Sequence, residues 1–470
     1  MVFTVYKNIK GRTYAYEIKS IWNKEKKKTE KKNKYLGVVI DKDKGTIKNK
    51  KIETEKLILD FGDSYLIDQI FKETKITKIL STLLKEYSDT LFSIIHYKLC
   101  YNGAMMYTQR WHEGSYSRIL YKKAEISSQR ISDFFTILGE EKLQREFFKH
   151  YFETLSTSKK GIIIDGTSLP NQIQNPLTAW GRSGEEIDKQ IRFLLVVDKE
   201  NSMPLLFRSL PGNIVDVSTV KNTIKELAQY GIKDYFIYHD AGFFSEENIN
   251  EYYINNIHFL TRLPATRILY KQLIKEEAPY LEKFQNGTRY GKRGLFVKER
   301  VINLFGKKAY AYIVQDLKRK ARELERYLIE NLDERNKNPD QEYDFINNGI
   351  MILVSSFQLS KEEVVPAYYI RQTAEMLFGF SKDDLGMLPL RVHNGVRIQG
   401  FLFLQFISLI YFIQLKNKLG KDYTVEEALL SMKNLKCKVY DDKILINELT
   451  KEQKEITKKL SILVPNSLGI

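Results

Sequence analysis

Cysteine is almost missing. The 470 residues hold two, Cys100 and Cys437, too far apart to make a disulfide framework or a paired-cysteine zinc site. A stapled secreted scaffold is thereby excluded, and the chain reads as cytoplasmic. Long hydrophobic runs are missing too: the longest, 401–415, is interrupted by Gln405 and Gln414 and falls short of the roughly 18 residues a membrane span needs. It reads as a buried core helix, with no membrane partner. Residues 1–10 carry no charged-then-apolar signal pattern. No G-x4-G-K-[ST] loop occurs, so an ATP-driven mechanism has no support. No internal repeat is present, and the one low-complexity stretch is lysine-rich, 24–34.

What is present describes a soluble globular protein. Hydrophobic residues at 43% and aromatics at 12% exclude a mainly disordered chain, while 29% charged residues exclude a membrane bundle. The length implies two or three domains, because single cores stop growing near about 250–300 residues. Lysine and arginine outnumber the acids 75 to 59, giving +16. Such an excess favours a polyanion, and a nucleic acid is the first partner to consider. A chain rich in lysine, asparagine and isoleucine from an AT-rich genome carries the same excess with no such partner.

Residues 1–60 alternate as short strands and read as a small basic β arm. Within it, 24–34 holds seven lysines and two glutamates, which either track phosphates or form a solvated loop. From 61 to 155 apolar spacing turns helical, as in Ile76, Ile79, Leu80, Leu83 and Leu84. The segment from Ser127 to Phe135 offers a serine cap and a polar first turn, which suits either a recognition helix or a plain bundle helix. Residues 156–264 change to strands: 161–165 ending on Asp165, then 191–198, then 203–209, with connections short enough for antiparallel pairing. A helix at 217–230 leads to a strand at 235–239 that ends on Asp240, and a helical crossover makes that strand parallel to an earlier one. If it lies beside the first, Asp165 and Asp240 emerge at one sheet edge. Residues 265–348 look inserted, with a hairpin turn at Asn286-Gly287, basic strands and a charged helix at 316–334. Residues 349–417 resume the core with a strand and two helices, 361–382 and 396–417, and 418–470 read as a helical tail.

The helix after 361 carries Tyr368, Arg371, Glu375 and Lys382. At about 100° per residue these offsets fall within an arc of roughly 60°, so the four share one face. A stripe of this kind is commonly an exposed ion-paired face. Glu375 could instead join Asp165 and Asp240, since three carboxylates from separate elements suit divalent cations and phosphodiester chemistry, with Arg and Lys beside them for phosphates.

At these residues the chain resembles the DDE transposases of bacterial insertion sequences, in the cut-and-paste group marked by the signature Y-x2-R-x3-E-x6-K, which Tyr368, Arg371, Glu375 and Lys382 fit throughout. The stretches Ile164-Asp165-Gly166-Thr167-Ser168, Leu210-Pro211-Gly212-Asn213-Ile214-Val215-Asp216 and Asp240-Ala241-Gly242-Phe243 look like the group's shared blocks, in the same order. The resemblance covers about 160–415. It implies an α/β fold: an RNase H-like mixed sheet with flanking helices, interrupted by a β-rich insertion and preceded by a mainly helical DNA-binding region. It further implies that Asp165, Asp240 and Glu375 are the catalytic, metal-holding acids, and that Tyr368, Arg371 and Lys382 contact DNA phosphates. The ions would be Mg²⁺, two of them, with Mn²⁺ able to substitute. The partners would be double-stranded DNA, both terminal inverted repeats and target, engaged as a homodimer near the nucleoid in the bacterial cytoplasm. A hairpin intermediate commonly relies on an aromatic in the insertion. This insertion lacks tryptophan, leaving Tyr290, Phe296 and Phe305.

Other residues keep two readings. His239 could ligate a metal or be packed at a strand end, and Asp216 could support the site or cap a helix. Asp198 reads as a turn residue, and Trp180-Gly181-Arg182 as a surface loop or a DNA contact. For the whole chain, a catalytically idle descendant that binds DNA and a nuclease that cuts without joining remain the competing expectations.

Overall fold

The computed structural model describes residues 2–23, 28–41, 46–48, 55–155, 161–183, 186–214, 216–331 and 345–469. Two compact units are present: residues 1–58, 437–447 and 465–470 in one, 59–436 and 448–464 in the other.

The first unit begins with an antiparallel meander of β1 (Val2–Ile9), β2 (Arg12–Asn23), β3 (Lys28–Asp41) and β4 (Thr46–Lys48). Lys10 and Gly11, both at positive φ (51° and 78°), close the first hairpin with the two left-handed residues such a turn requires. Lysines 28, 31, 32 and 34 stand exposed on β3 rather than in a loop, and 24–27 lie outside the described residues. A further strand, β5 (Leu57–Asp60), spans the boundary to the second unit.

The second unit is built on one mixed sheet. Its strands are β6 (Gly161–Pro170), β7 (Ala179–Ser183), β8 (Glu186–Asp198), β9 (Pro204–Pro211), β10 (Phe236–His239), β11 (His258–Arg262), β12 (Gly287–Tyr290), β13 (Arg293–Leu304), β14 (Lys307–Asp316) and β15 (Ile350–Ser355). They run β12-β13-β14-β15-β11-β10-β6-β8-β7, with β9 also on β8. β6, β8 and β9 pair antiparallel, and the link from Asp198 to Pro204 between β8 and β9 is too short for a parallel crossover. The helix Val220–Gln229 then crosses over, and β10 lies parallel to both β6 and β11. Runs such as Ile162-Ile163-Ile164 and Leu194-Leu195-Val196-Val197 are fully buried, the pattern of strands covered on both faces.

The helix Gly395–Leu419 has 25 residues, longer than the apolar run suggests, because Asn394 caps its start through the amides of Val396 and Arg397 and Gly420, at φ 68°, ends it. It is apolar through its middle and long enough to cross a membrane, yet 17 of its 25 residues are buried within the protein. Helix Ser128–Leu138 lies along it so closely that a Cβ on Gly400 would stand 1.9 Å from the Phe135 carbonyl oxygen. Phe147, Phe148, Phe403 and Phe406 interlock nearby. Residues 61–155 therefore share a core with 396–417 and the sheet, and no boundary falls near residue 155.

Three further expectations are corrected. The strands of 265–348 do not stand apart: β14 pairs with β15 and so extends the central sheet. Its tight turns are Gly291-Lys292 and Phe305-Gly306, not Asn286-Gly287. Asn286 is buried and donates to the carbonyls of Tyr280 and Leu281 instead. Finally, 418–470 is not purely helical: besides the helices Val425–Lys433 and Lys451–Lys459 it holds β16 (Lys436–Val439), β17 (Lys443–Ile446) and β18 (Ser467–Gly469), paired antiparallel.

Candidate active site

The parallel register of β6 and β10 sets Tyr238 opposite Ile163. Two residues further along the chain in each case stand Asp240, just past the end of β10, and Asp165, within β6. Asp165 does not end its strand as the sequence suggests, since β6 continues to Pro170; the edge forms because β10 stops at His239 and a tight 3₁₀ turn, Ala241–Phe243, follows.

The third acid arrives on a broken helix. In place of one helix over 361–382, the chain forms Val364–Tyr369 and Gln372–Gly379, then a π turn, Phe380–Asp384. At the break the amides of Arg371, Thr373 and Ala374 bond three residues back, a tightening opposite in sense to the π turn that follows. Even so, Arg371, Glu375 and Lys382 reach one open pocket of about 480 Å³ with Asp165 and Asp240. Tyr368 stands behind it: its ring is 2% exposed and its hydroxyl donates to Asp240 Oδ1 at 2.6 Å.

Arg371 Nη1 donates to Glu375 Oε1 at 2.6 Å, and its charge also acts on Asp165 and Asp240. Lys382 Nζ donates to Thr167 Oγ1 at 2.8 Å and to the Ser168 carbonyl at 3.2 Å. Burial pushes the Asp165 carboxyl up to about 7, and Glu375 and Asp240 add repulsion against the opposing Gly166 amide and Arg371. Burial also pushes on Asp240, but the Tyr368 hydroxyl, Arg371 and the Ala241 amide together hold it below the usual carboxylate range. Burial, with Arg192 nearby, lowers Lys382.

All six residues singled out from the sequence thus meet in one place. Thr167 and Ser168, which anchor Lys382, were missed; the available signal was that Thr167 follows Asp165 by two on the same strand and so shares its face. His239 is packed: fully buried, with Nδ1 at 3.0 Å from both the Asp240 carbonyl and Thr261 Oγ1 and Nε2 at 2.9 Å from the Tyr252 hydroxyl. The carbonyl can only accept, so Nδ1 carries the proton, and burial lowers the imidazole to about 4. Asp198 accepts from the amides of Glu200 and Asn201, as a turn residue does. The Asp216 side chain lies outside the described residues. Of the insertion aromatics, Tyr290 stacks on Tyr369 with ring centres 5.0 Å apart, and Phe305 packs toward Phe244.

Among the described residues no three of His, Cys, Asp and Glu stand together as a ready metal cluster. The donor chemistry nevertheless fits a hard divalent cation: three carboxylates, all oxygen donors, line one pocket. Glu375 is paired to Arg371, but its side chain is 52% exposed and has room to turn. Arg371 Nε is buried with no hydrogen-bond partner among the described residues.

The pattern of the transposase DDE domain family matches residues 156–411, which takes in the central sheet, the pocket and most of the buried helix. No curated protein matches. Among solved structures, a piggyBac transposase synaptic complex with hairpin DNA is similar at 11% identity over 79% of each chain, with a TM-score of 0.43. The family match spans more than half of the 470 residues and includes every residue of the pocket, and on that ground the chain belongs to the transposase DDE domain family.

Proposed function

We propose that this chain is a DNA transposase of the Tyr-Arg-Glu-Lys cut-and-paste group of bacterial insertion sequences. It binds terminal inverted repeats, cleaves at their ends and joins the freed 3′-hydroxyl to target DNA, acting as a homodimer in the cytoplasm. One observation carries the reading: Asp165, Asp240 and Glu375 come from three elements far apart in sequence and line one pocket with Arg371 and Lys382. An RNase H-like core is supported by three antiparallel strands, β6, β8 and β9, followed by the parallel β10 and β11.

Asp165, Asp240 and Glu375 would hold two Mg²⁺ ions, or Mn²⁺ in their place, supplying activation of the attacking oxygen and neutralisation of charge at the leaving one. The remaining work falls to the chain. Tyr368 orients Asp240 through its hydroxyl. Arg371, once released from Glu375, offers its guanidinium fork to a phosphate, and Lys382 is held beside the acids by Thr167 and Ser168 to meet the next one.

The test uses labelled DNA from the sequence flanking the reading frame. Asp165→Asn, Asp240→Asn and Glu375→Gln should each abolish Mg²⁺-dependent cleavage and leave binding intact, and Arg371→Ala and Lys382→Ala should cut the yield of joined product. Near-normal cleavage by any carboxylate variant would overturn the site. Cleavage with no joined product from the unaltered protein would make it a nuclease.

A further inference from the structure

β7 and the start of β8 form a ribbon that runs on past the end of β6. Their antiparallel register pairs Trp180 with Lys189 and Arg182 with Ile187, so by strand alternation these four side chains share one face. That face is open: Trp180 is 62% and Ile187 69% exposed, and Lys189 Nζ lies 5.6 Å from the centre of the Trp180 ring. The opposite face is docked. A Cβ on Gly181 would stand 2.0 Å from the Gly212 carbonyl oxygen, and Gln190 Nε2 donates to that same carbonyl. The ribbon is therefore a fixed platform, and Trp180-Gly181-Arg182 is an edge strand rather than a loop.

We infer that this platform engages DNA, with Trp180 packed against a backbone sugar and Lys189 and Arg182 against the flanking phosphates. The inference rests on the chain being a DNA-acting transposase. Charge favours that occupant: an exposed indole and two cations share this face, whereas alternation puts Asp188 of β8 on the other, in a chain of net charge +16. Position supports it as well. Asp165 pairs with Leu195 on β8, and six residues separate Leu195 from Lys189, about 20 Å of strand. A duplex running along β8 would meet the platform about six base-pair steps from the acids, at about 3.4 Å per step.

The experiment uses the full chain with Trp22→Phe and Trp111→Phe, leaving Trp180 as the one tryptophan of the three, and a fluorescein-labelled mixed-sequence duplex of about three helical turns. Trp180 emission should be quenched on saturation and shielded from iodide. In the otherwise unaltered chain, Trp180→Ala should weaken binding about tenfold and Trp180→Phe much less. Lys189→Ala should lower the salt slope of binding by about one. Trp180 emission that stays iodide-accessible in the saturated complex, with Trp180→Ala binding normally, overturns the inference and leaves the transposase reading standing. A Trp180→Ala variant that binds DNA normally but loses self-association in light scattering overturns it too, by making the face a contact between copies. If the unaltered chain binds no duplex at low salt, the transposase reading falls first and this inference with it.

Discussion

The hydroxyl of Tyr368 lies 2.6 Å from Asp240 Oδ1, joining a buried aromatic on one side of the helix break to a pocket acid that follows β10. This is a hydrogen bond to an ionised acceptor, the strong kind. The same bond helps hold Asp240 below the usual carboxylate range. It also uses the hydroxyl that the family resemblance reserves for a DNA phosphate.

Tyr368→Phe removes only that oxygen. The chain should lose about 1.5–3 kcal/mol of stability in urea unfolding, and its cleavage of end DNA should fall. A change inside the error of the unfolding midpoint would mean that the bond is not formed in solution.

Asp165→Asn should separate stability from activity. With its folded carboxyl pushed up to about 7 from an ordinary 3.8, the native state keeps a proton that the unfolded chain releases first. Stability due to this group is therefore full below about pH 4 and declines as pH rises toward 7. The asparagine variant should match the parent near pH 4, exceed it in melting temperature at pH 8, and fail to cleave. Millimolar Mg²⁺ should raise the parent's melting temperature through binding to the native state, and leave the variant's unchanged. A variant stabilised by Mg²⁺ as much as the parent would show that Asp165 is not a metal ligand.

The constellation was legible because it depends on residue type and spacing, which sequence carries directly. Asp165 and Asp240 each follow a short apolar run, and Tyr368, Arg371, Glu375 and Lys382 keep near-helical offsets. The local backbone was not legible: the 3₁₀ tightening at Arg371 and the π turn at Lys382 have opposite sense, and the even spacing conceals both. Asn286-Gly287 misled because an Asn-Gly pair suits a left-handed turn, whereas here the Asn286 amide is more useful buried against two carbonyls. The boundary expected at 155 failed for a related reason. Periodicity reports an apolar face and not its partner, so nothing in 61–155 announces that its cover is the helix 25 residues long at Gly395–Leu419.

That shared core changes what a truncation can do. Residues 1–155 alone would expose Phe135, Phe147 and Phe148, whose neighbours include Phe401, Phe403 and Phe406. A fragment ending at 155 should therefore lack a cooperative thermal transition by circular dichroism and bind the dye ANS. A sharp transition in that fragment would show that the helices make an independent domain.

Lys98 provides a test of the interior remote from the acids. It is 1% exposed, donates to the Gly386 carbonyl at 3.1 Å and lies 5.9 Å from the centre of the Phe401 ring, and burial alone lowers it from 10.5 to about 7. The unfolded chain keeps its proton up to the ordinary lysine value, so between about pH 7 and about pH 10 the unfolded state holds more protons than the native one. Stability from this group must then rise with pH across that window, and the cost of the buried ammonium is fully felt below it. Lys98→Met, similar in length and free of charge, loses the bond to Gly386, worth about 1 kcal/mol at any pH, but escapes the ammonium cost. Relative to the parent it should be most favoured near pH 6, with the difference shrinking by up to about 1.4 kcal/mol per pH unit toward pH 10. Urea unfolding at several pH values reads this directly. Parallel stability curves for the two proteins would mean that Lys98 remains protonated when folded and that water reaches it.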